Sequence, residues 1–207
     1  MKVRTEARRE AIIDAAAVLF QEVGYERASM NELTKRLGGS KATLYGYFPS
    51  KEALFVEVVR SVATVHLSEA VAQLSDSDQD RYTLEQTLAR FGERMLLVLT
   101  NESSALAVYR MVMAEAGRSN IGMLFYEAGP SDCNEVLSRW MAQAMTRGEL
   151  RQADPGVKAA QFLALLTAEV QVRLYQPHSE PLAVEQIQAL VGRAVEMFLL
   201  GAAPDPG

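Results

Sequence analysis

Apolar residues recur at three- and four-residue intervals along most of the chain. Ile12, Ala16, Leu19, Phe20 and Val23 stand at i, i+4, i+7, i+8 and i+11, one stripe of an amphipathic helix over residues 5–23. Gly24 is the residue type that closes a helix. Ser29-Met30-Asn31-Glu32 has the form of a capping box and opens a short helix that carries Leu33 and Leu37 inward. Gly38-Gly39 breaks it. Ser40 then caps a second short helix, Lys41 to Tyr47, which Pro49 ends because a residue before proline avoids the α region. Ser50 caps a longer helix from Lys51, with Leu54, Phe55, Val58, Val59 and Val62 on its apolar side.

Ser75-Asp76-Ser77-Asp78-Gln79-Asp80 has no apolar anchor and reads as a loop. Further helices are expected near 81–100, 103–117, 121–147, 155–175 and 181–200. Gly129-Pro130 should interrupt the third of these, and Gly148 should end it. Asp154-Pro155 opens the fourth with proline in the first turn. Pro177 to Pro181 reads as a rigid turn, with Pro181 starting the last helix. No alternating run flanked by Asn-Gly or Asp-Gly argues for strands. The expected fold is all-α. Its expected parts are a helix-turn-helix domain over 1–50, a helical domain over 51–201 and a disordered tail over 202–207.

Composition narrows the chemistry. The 207 residues are 49% hydrophobic and 23% charged, as in a soluble globular protein. No apolar run reaches the roughly 18 residues of a membrane span, and the charged start lacks a signal-peptide core, so a cytoplasmic protein with no membrane partner is expected. Cys133 is the one cysteine, which rules out an intrachain disulfide and a thiolate metal site. His66 and His178 have no ligand spacing around them. No metal and no cofactor are expected. Charge is uneven: residues 1–60 hold ten Lys and Arg against eight Asp and Glu, whereas the rest hold eleven against eighteen. A slightly basic head on an acidic body suits a module that faces a polyanion.

Two short capped helices around a glycine turn match a helix-turn-helix, whose second helix enters the major groove. Leu44 and Phe48, four apart, can anchor that helix on a core. Lys41, Thr43, Tyr45 and Tyr47 then share its other faces, and each type can meet a phosphate, sugar or base. Lys51, at the start of the next helix, adds charge to a positive helix end and suits a phosphate. Packing alone would also account for the two tyrosines. Residues 8–55, above all SMNELTKRLGGSKATLYGYFPSKEALF (Ser29–Phe55), resemble the DNA-binding region of TetR/AcrR-type transcriptional regulators. The resemblance implies a three-helix DNA-binding domain, a linking fourth helix, and an all-helical ligand-binding and dimerisation domain. It also implies groove or backbone contacts for Lys41, Ala42, Thr43, Tyr45, Gly46 and Tyr47, and phosphate contacts for Ser29, Asn31 and Lys51. The sequence departs from the family at Gly39, where valine is usual, and at Gly46, where many members carry a larger side chain. Phe125 to Pro130 and Arg147 to Leu150 resemble the ligand domain of AcrR/AefR-like members. These are mostly repressors of efflux or stress operons released by hydrophobic molecules.

Seven of the nine methionines follow residue 90, and methionine adapts to irregular apolar surfaces. Met95, Leu99, Met113, Phe125, Trp140 and Met141 are the candidate effector contacts, although filling a core would explain each one singly. Phe162, Leu166, Glu169, Val170 and Arg173 share one helix face, and Ile187, Leu190, Val191, Ala194 and Phe198 another. Both faces are candidates for a homodimer built as a four-helix bundle, or for packing within one subunit. The expected function is a repressor released from a palindromic operator by a hydrophobic effector. Alternatives are an activator, an effector-independent regulator, a helical adaptor or an all-helical enzyme. No nucleotide loop or H-E-x-x-H supports the last, so no catalytic residues are named and no enzymatic activity is expected.

Overall fold

The computed structural model describes residues 5–74, 81–176 and 179–204, with the backbone alone at 63–67. The expected loop at 75–80, the start of the turn at 177–178 and residues 205–207 of the expected tail lie outside the described residues; Ala202, expected in that tail, is buried as the last residue of the final helix. Ten α-helices are described: α1 (Glu6–Val23), α2 (Met30–Leu37), α3 (Lys41–Tyr47), α4 (Lys51–Ala72), α5 (Leu84–Asn101), α6 (Ser103–Glu115), α7 (Ile121–Ala128), α8 (Pro130–Thr146), α9 (Pro155–Ala168) and α10 (Val184–Ala202). There is no strand among the described residues.

The starts of these helices follow from side-chain capping. Thr5, Ser29, Ser40, Thr83 and Asp154 each accept a hydrogen bond from a backbone N–H of the first turn, which satisfies donors that the helix cannot. At Ser29 the box is half made. Its hydroxyl accepts from the Glu32 N–H at 3.1 Å, while the Glu32 carboxylate lies 3.5 Å from Arg36 Nε. Gly129 and Pro130 part α7 from α8, as the sequence suggests. Three boundaries differ from expectation. The helix expected from residue 81 starts at Leu84, capped by Thr83. The helix expected over 155–175 stops at Ala168, and the chain tightens into a 3-10 turn over Gln171–Tyr175. The last helix starts at Val184 instead of Pro181, where the Gln186 side chain accepts from the Ala183 N–H at 2.9 Å.

The chain packs as two units. One comprises residues 1–64 and 107–129, the other 65–106 and 130–207. The expected boundary at residue 50 does not coincide with this division, because the first part of α4, α7 and most of α6 share the head's core. That core gathers Ile12, Leu19, Phe20, Leu33, Leu44, Phe48, Leu54 and Phe55 with Val108, Val112 and Ile121. Phe20, Tyr25 and Phe55 form a ring triad with centroids 5.2–5.9 Å apart. Burying one such side chain is worth about 1.5–3 kcal/mol.

In the second unit α10 packs on α5 and α9, and α9 packs on α8. Phe162 sits 6.2 Å from Phe91 and 5.1 Å from Phe198. Gly92 lets α5 approach closely: a Cβ there would stand 2.7 Å from Leu166 Cδ2 and 2.9 Å from Val191 Cγ1. Cys133 is buried in this core, and burial pushes its thiol up to about 11, so it stays protonated and unreactive at neutral pH.

Candidate nucleic-acid interface

α3 is short, and its position is set by what surrounds it. Ser40 accepts from the Thr43 N–H at 3.1 Å, and its hydroxyl lies 2.9 Å from that of Thr43. Leu44 and Phe48 are buried at 3% exposure each, pinning one side of the helix to the core. Lys41, Ala42, Thr43 and Tyr45 lie on the exposed side, Tyr45 with 48% of its surface free. Gly46 and Tyr47 are half-buried. Tyr47 packs against the core, and its hydroxyl accepts from the Thr5 backbone N–H at 3.0 Å.

The turn before α3 depends on its two glycines. Gly38 has φ +63° and Gly39 φ +123°, conformations that a β-branched residue cannot hold without strain. The departure from valine at position 39 is therefore matched by a backbone that excludes valine. Arg8 of α1 clamps this turn from outside. One of its Nη atoms donates to the Leu37 and Gly38 carbonyls at 3.2 and 2.8 Å, the orphaned acceptors at the end of α2. Periodicity could not show this contact, because it joins residues 29 and 30 apart.

Ser29 and Asn31 are exposed at the start of α2. Lys51 has partners within the chain that its sequence position does not show. Its ammonium donates to the Tyr25, Glu26 and Ala28 carbonyls at 2.9, 3.4 and 3.3 Å and lies 4.2 Å from the centre of the Tyr25 ring. With these contacts Lys51 holds the α1–α2 connection. The Glu115 carboxylate closes the same connection, accepting from the Glu26 N–H at 3.1 Å. Tyr25 is buried beneath it, and its phenol is pushed up by burial and then by Glu52 and Glu26. Arg36 pairs with Glu22 at 2.6 Å. Among the described residues Lys35, Lys41 and Arg27 are exposed and form no ion pair, Arg27 donating from Nε to the Val23 carbonyl at 2.8 Å, so they are among the head's available cations.

The candidate effector residues divide between the two units. Trp140 and Met141 are buried in the second core, with Met95 and Leu99 partly buried against it. Met113 is 60% exposed on α6, and Phe125 packs edge-on to Tyr109 at 5.9 Å, both in the first unit.

The candidate dimer faces also change. Phe162, Leu166, Val170, Ile187, Val191, Ala194 and Phe198 are buried within the chain itself, with Leu190 partly buried against them. They fill the subunit's own core, Phe162 lying against Phe91 and Phe198. Arg173 is half-buried and donates to the Glu180 carbonyl. Glu169 remains outside, paired with Arg193 at 2.7 Å, and that pair holds its carboxyl below the ordinary range. A groove on α9 and α10 is lined by Ala164, Leu165, Ala168, Met197, Phe198 and Gly201, with Lys158 and Gln161 as its polar residues.

Residues 12–58 match the family described as bacterial regulatory proteins, tetR family. Residues 86–201 match the AefR-like transcriptional repressor C-terminal domain. The A-factor receptor protein of Streptomyces griseus is 31% identical over 163 residues, 76% of this chain and 51% of that protein, so the chain spans about half of that relative's length. A TetR-family regulator from Mesorhizobium loti superposes with TM-score 0.78 and 27% identity over 97% of this chain and all of that one. The flavonoid-responsive regulator FrrA does so with TM-score 0.74 and 29% identity over 98% of this chain and all of that one. With a helix-turn-helix head and a second domain that each match its profiles, the chain belongs to the TetR family of transcriptional regulators.

Proposed function

We propose that the protein is a homodimeric repressor that leaves a palindromic operator when a hydrophobic small molecule binds its second domain. The observation that carries the reading is the split of α3. Leu44 and Phe48 hold it to the core, while Lys41, Ala42, Thr43 and Tyr45 face outward from a glycine-shaped turn. A rigid helix with polar residues on its free side is what a major groove accepts. Two relatives bear names that speak of small molecules, an A-factor receptor and a flavonoid-responsive regulator, which supports an effector here.

Dimerisation is assigned to the outer faces of α9 and α10. Ala164, Ala168 and Gly201 let a second pair of helices approach, and exposed Met197 and Leu200, at 60% and 76%, supply apolar area for a four-helix bundle. The two-fold axis would present two α3 helices about one DNA turn, roughly 34 Å, apart.

Fragments bound from genomic DNA identify the operator, and a gel shift at fixed salt measures affinity. Tyr45→Ala lowers that affinity about tenfold or more, and Leu200→Glu yields a monomer by light scattering that binds a half-site weakly. Wild-type affinity in a folded Tyr45→Ala variant refutes the role of α3. Rising reporter output on deletion of the gene distinguishes repression from activation.

A further inference from the structure

A cleft of about 330 Å³ lies in the second unit, lined by Gln73 at the end of α4, by Arg90, Glu93, Arg94 and Leu97 of α5, and by Val184, Ile187 and Gln188 of α10. None of the six candidate effector residues lines it. We propose that this cleft binds a small amphipathic monocarboxylate, its head on Arg90 and Arg94 and its tail on Leu97, Val184 and Ile187.

The arginines are one turn apart on α5, so their guanidinium groups share one side of the helix. Arg90 is held ready. Its planar guanidinium lies 4.1 Å from the centre of the Tyr82 ring, and one Nη donates to Gln73 Oε1 at 2.6 Å. Its Nε is buried and has no hydrogen-bond partner. A buried N–H left unmade is costly, and the same side chain lines the cleft. Arg94 stands 3.9 Å from Glu69, with both side chains about half exposed. Such a pair is worth little in water and is readily exchanged for a ligand.

The cleft also selects among anions. Glu93 lines it beside the two cations and Glu69 pairs with Arg94, so the charges balance; one carboxylate that takes the place of Glu69 on Arg94 keeps that balance, whereas a phosphate dianion adds a second negative charge. At the far end Ile187 is buried and Val184 is 59% exposed, an apolar surface that an alkyl or aryl tail would cover. The volume is at the small end for ligand sites, which points to a short acid.

Calorimetric titration of the full chain tests this with octanoate as probe, and octanol and octyl phosphate as controls. Octanoate binds in a saturable way, while octanol and octyl phosphate bind far more weakly. Arg90→Gln and Arg94→Gln each lower octanoate affinity about tenfold, and Val184→Glu lowers it through the tail. Arg94 and Val184 are exposed, so these two variants report even if Arg90→Gln fails to fold. Equal affinity for octanol, no saturable binding of octanoate, or full affinity in folded Arg94→Gln and Val184→Glu variants overturns the proposal. The readout is heat of binding without DNA, so the outcome is separate from that of the repressor reading.

Discussion

Single residues in the head divide into those that hold it and those that face outward. Lys51 belongs to the first group: three carbonyls and the Tyr25 ring surround its ammonium. Lys51→Ala leaves those acceptors short of a charged donor and costs about 2 kcal/mol, seen as a lower melting temperature. Tyr45→Ala leaves the melting temperature within error, since nearly half of that side chain is in solvent. Gly24 is a second holding residue. Its φ of +79° and ψ of 160° lie in a region used almost only by glycine, and a Cβ would stand 2.7 Å from Glu115 Oε1. Gly24→Ala therefore destabilises by about 1–3 kcal/mol, measurable by chemical denaturation. Of these placements only Gly24 is legible in the chain, as a helix stop. The fate of Lys51 is not, because a lysine at a helix start looks the same whether it faces phosphate or the chain's own carbonyls.

At the scale of elements, capping and periodicity suffice to locate α1 to α4 to within a residue or two. Thr5, Ser29 and Ser40 at the starts and Gly24, Gly38 and Pro49 at the ends are local signals that act on local backbone. The junction after α9 is harder. Residues 155–175 keep a helical apolar pattern, yet the bonds from Val170 N to Thr167 O and from Arg173 N to Val170 O close three-residue turns. The meeting of α5 with α9 and α10 is likewise a matter of packing. Gly92 marks it, and Gly92→Ala drives a methyl into Leu166 and Val191, costing about 1–3 kcal/mol. Thermal melts of that variant drop while its operator affinity at low temperature stays near wild type, because the head's core lies elsewhere.

For the whole molecule, two cores imply two reporters. No helix among the described residues is long and apolar enough to cross a membrane, and the helices instead bury their stripes in these cores. Stability of the head also depends on pH. Hydrogen bonds from its own backbone N–H and from the Ser50 hydroxyl hold the Glu52 carboxyl below its ordinary 4.5. A carboxylate so held contributes stability above its unfolded value and loses it as pH falls through the lower folded value. The melting temperature of the wild type accordingly falls as pH drops below 4.5, and Glu52→Gln makes that fall shallower.

The chain by itself determined the all-helical class, the helix-turn-helix and the family, because capping, glycine turns and a 3.6-residue period are short-range properties written in adjacent residues. Only the tertiary structure decided which apolar stripe turns inward. A stripe such as Phe162–Leu166 or Val191–Phe198 is the same sequence whether it meets a partner or its own core, and long-range packing gave it to the core. The same holds for Arg8, Lys51 and Arg90, whose partners lie 17 to 30 residues away: charge can be read from a sequence, but what a charge is spent on is settled by what folding brings beside it.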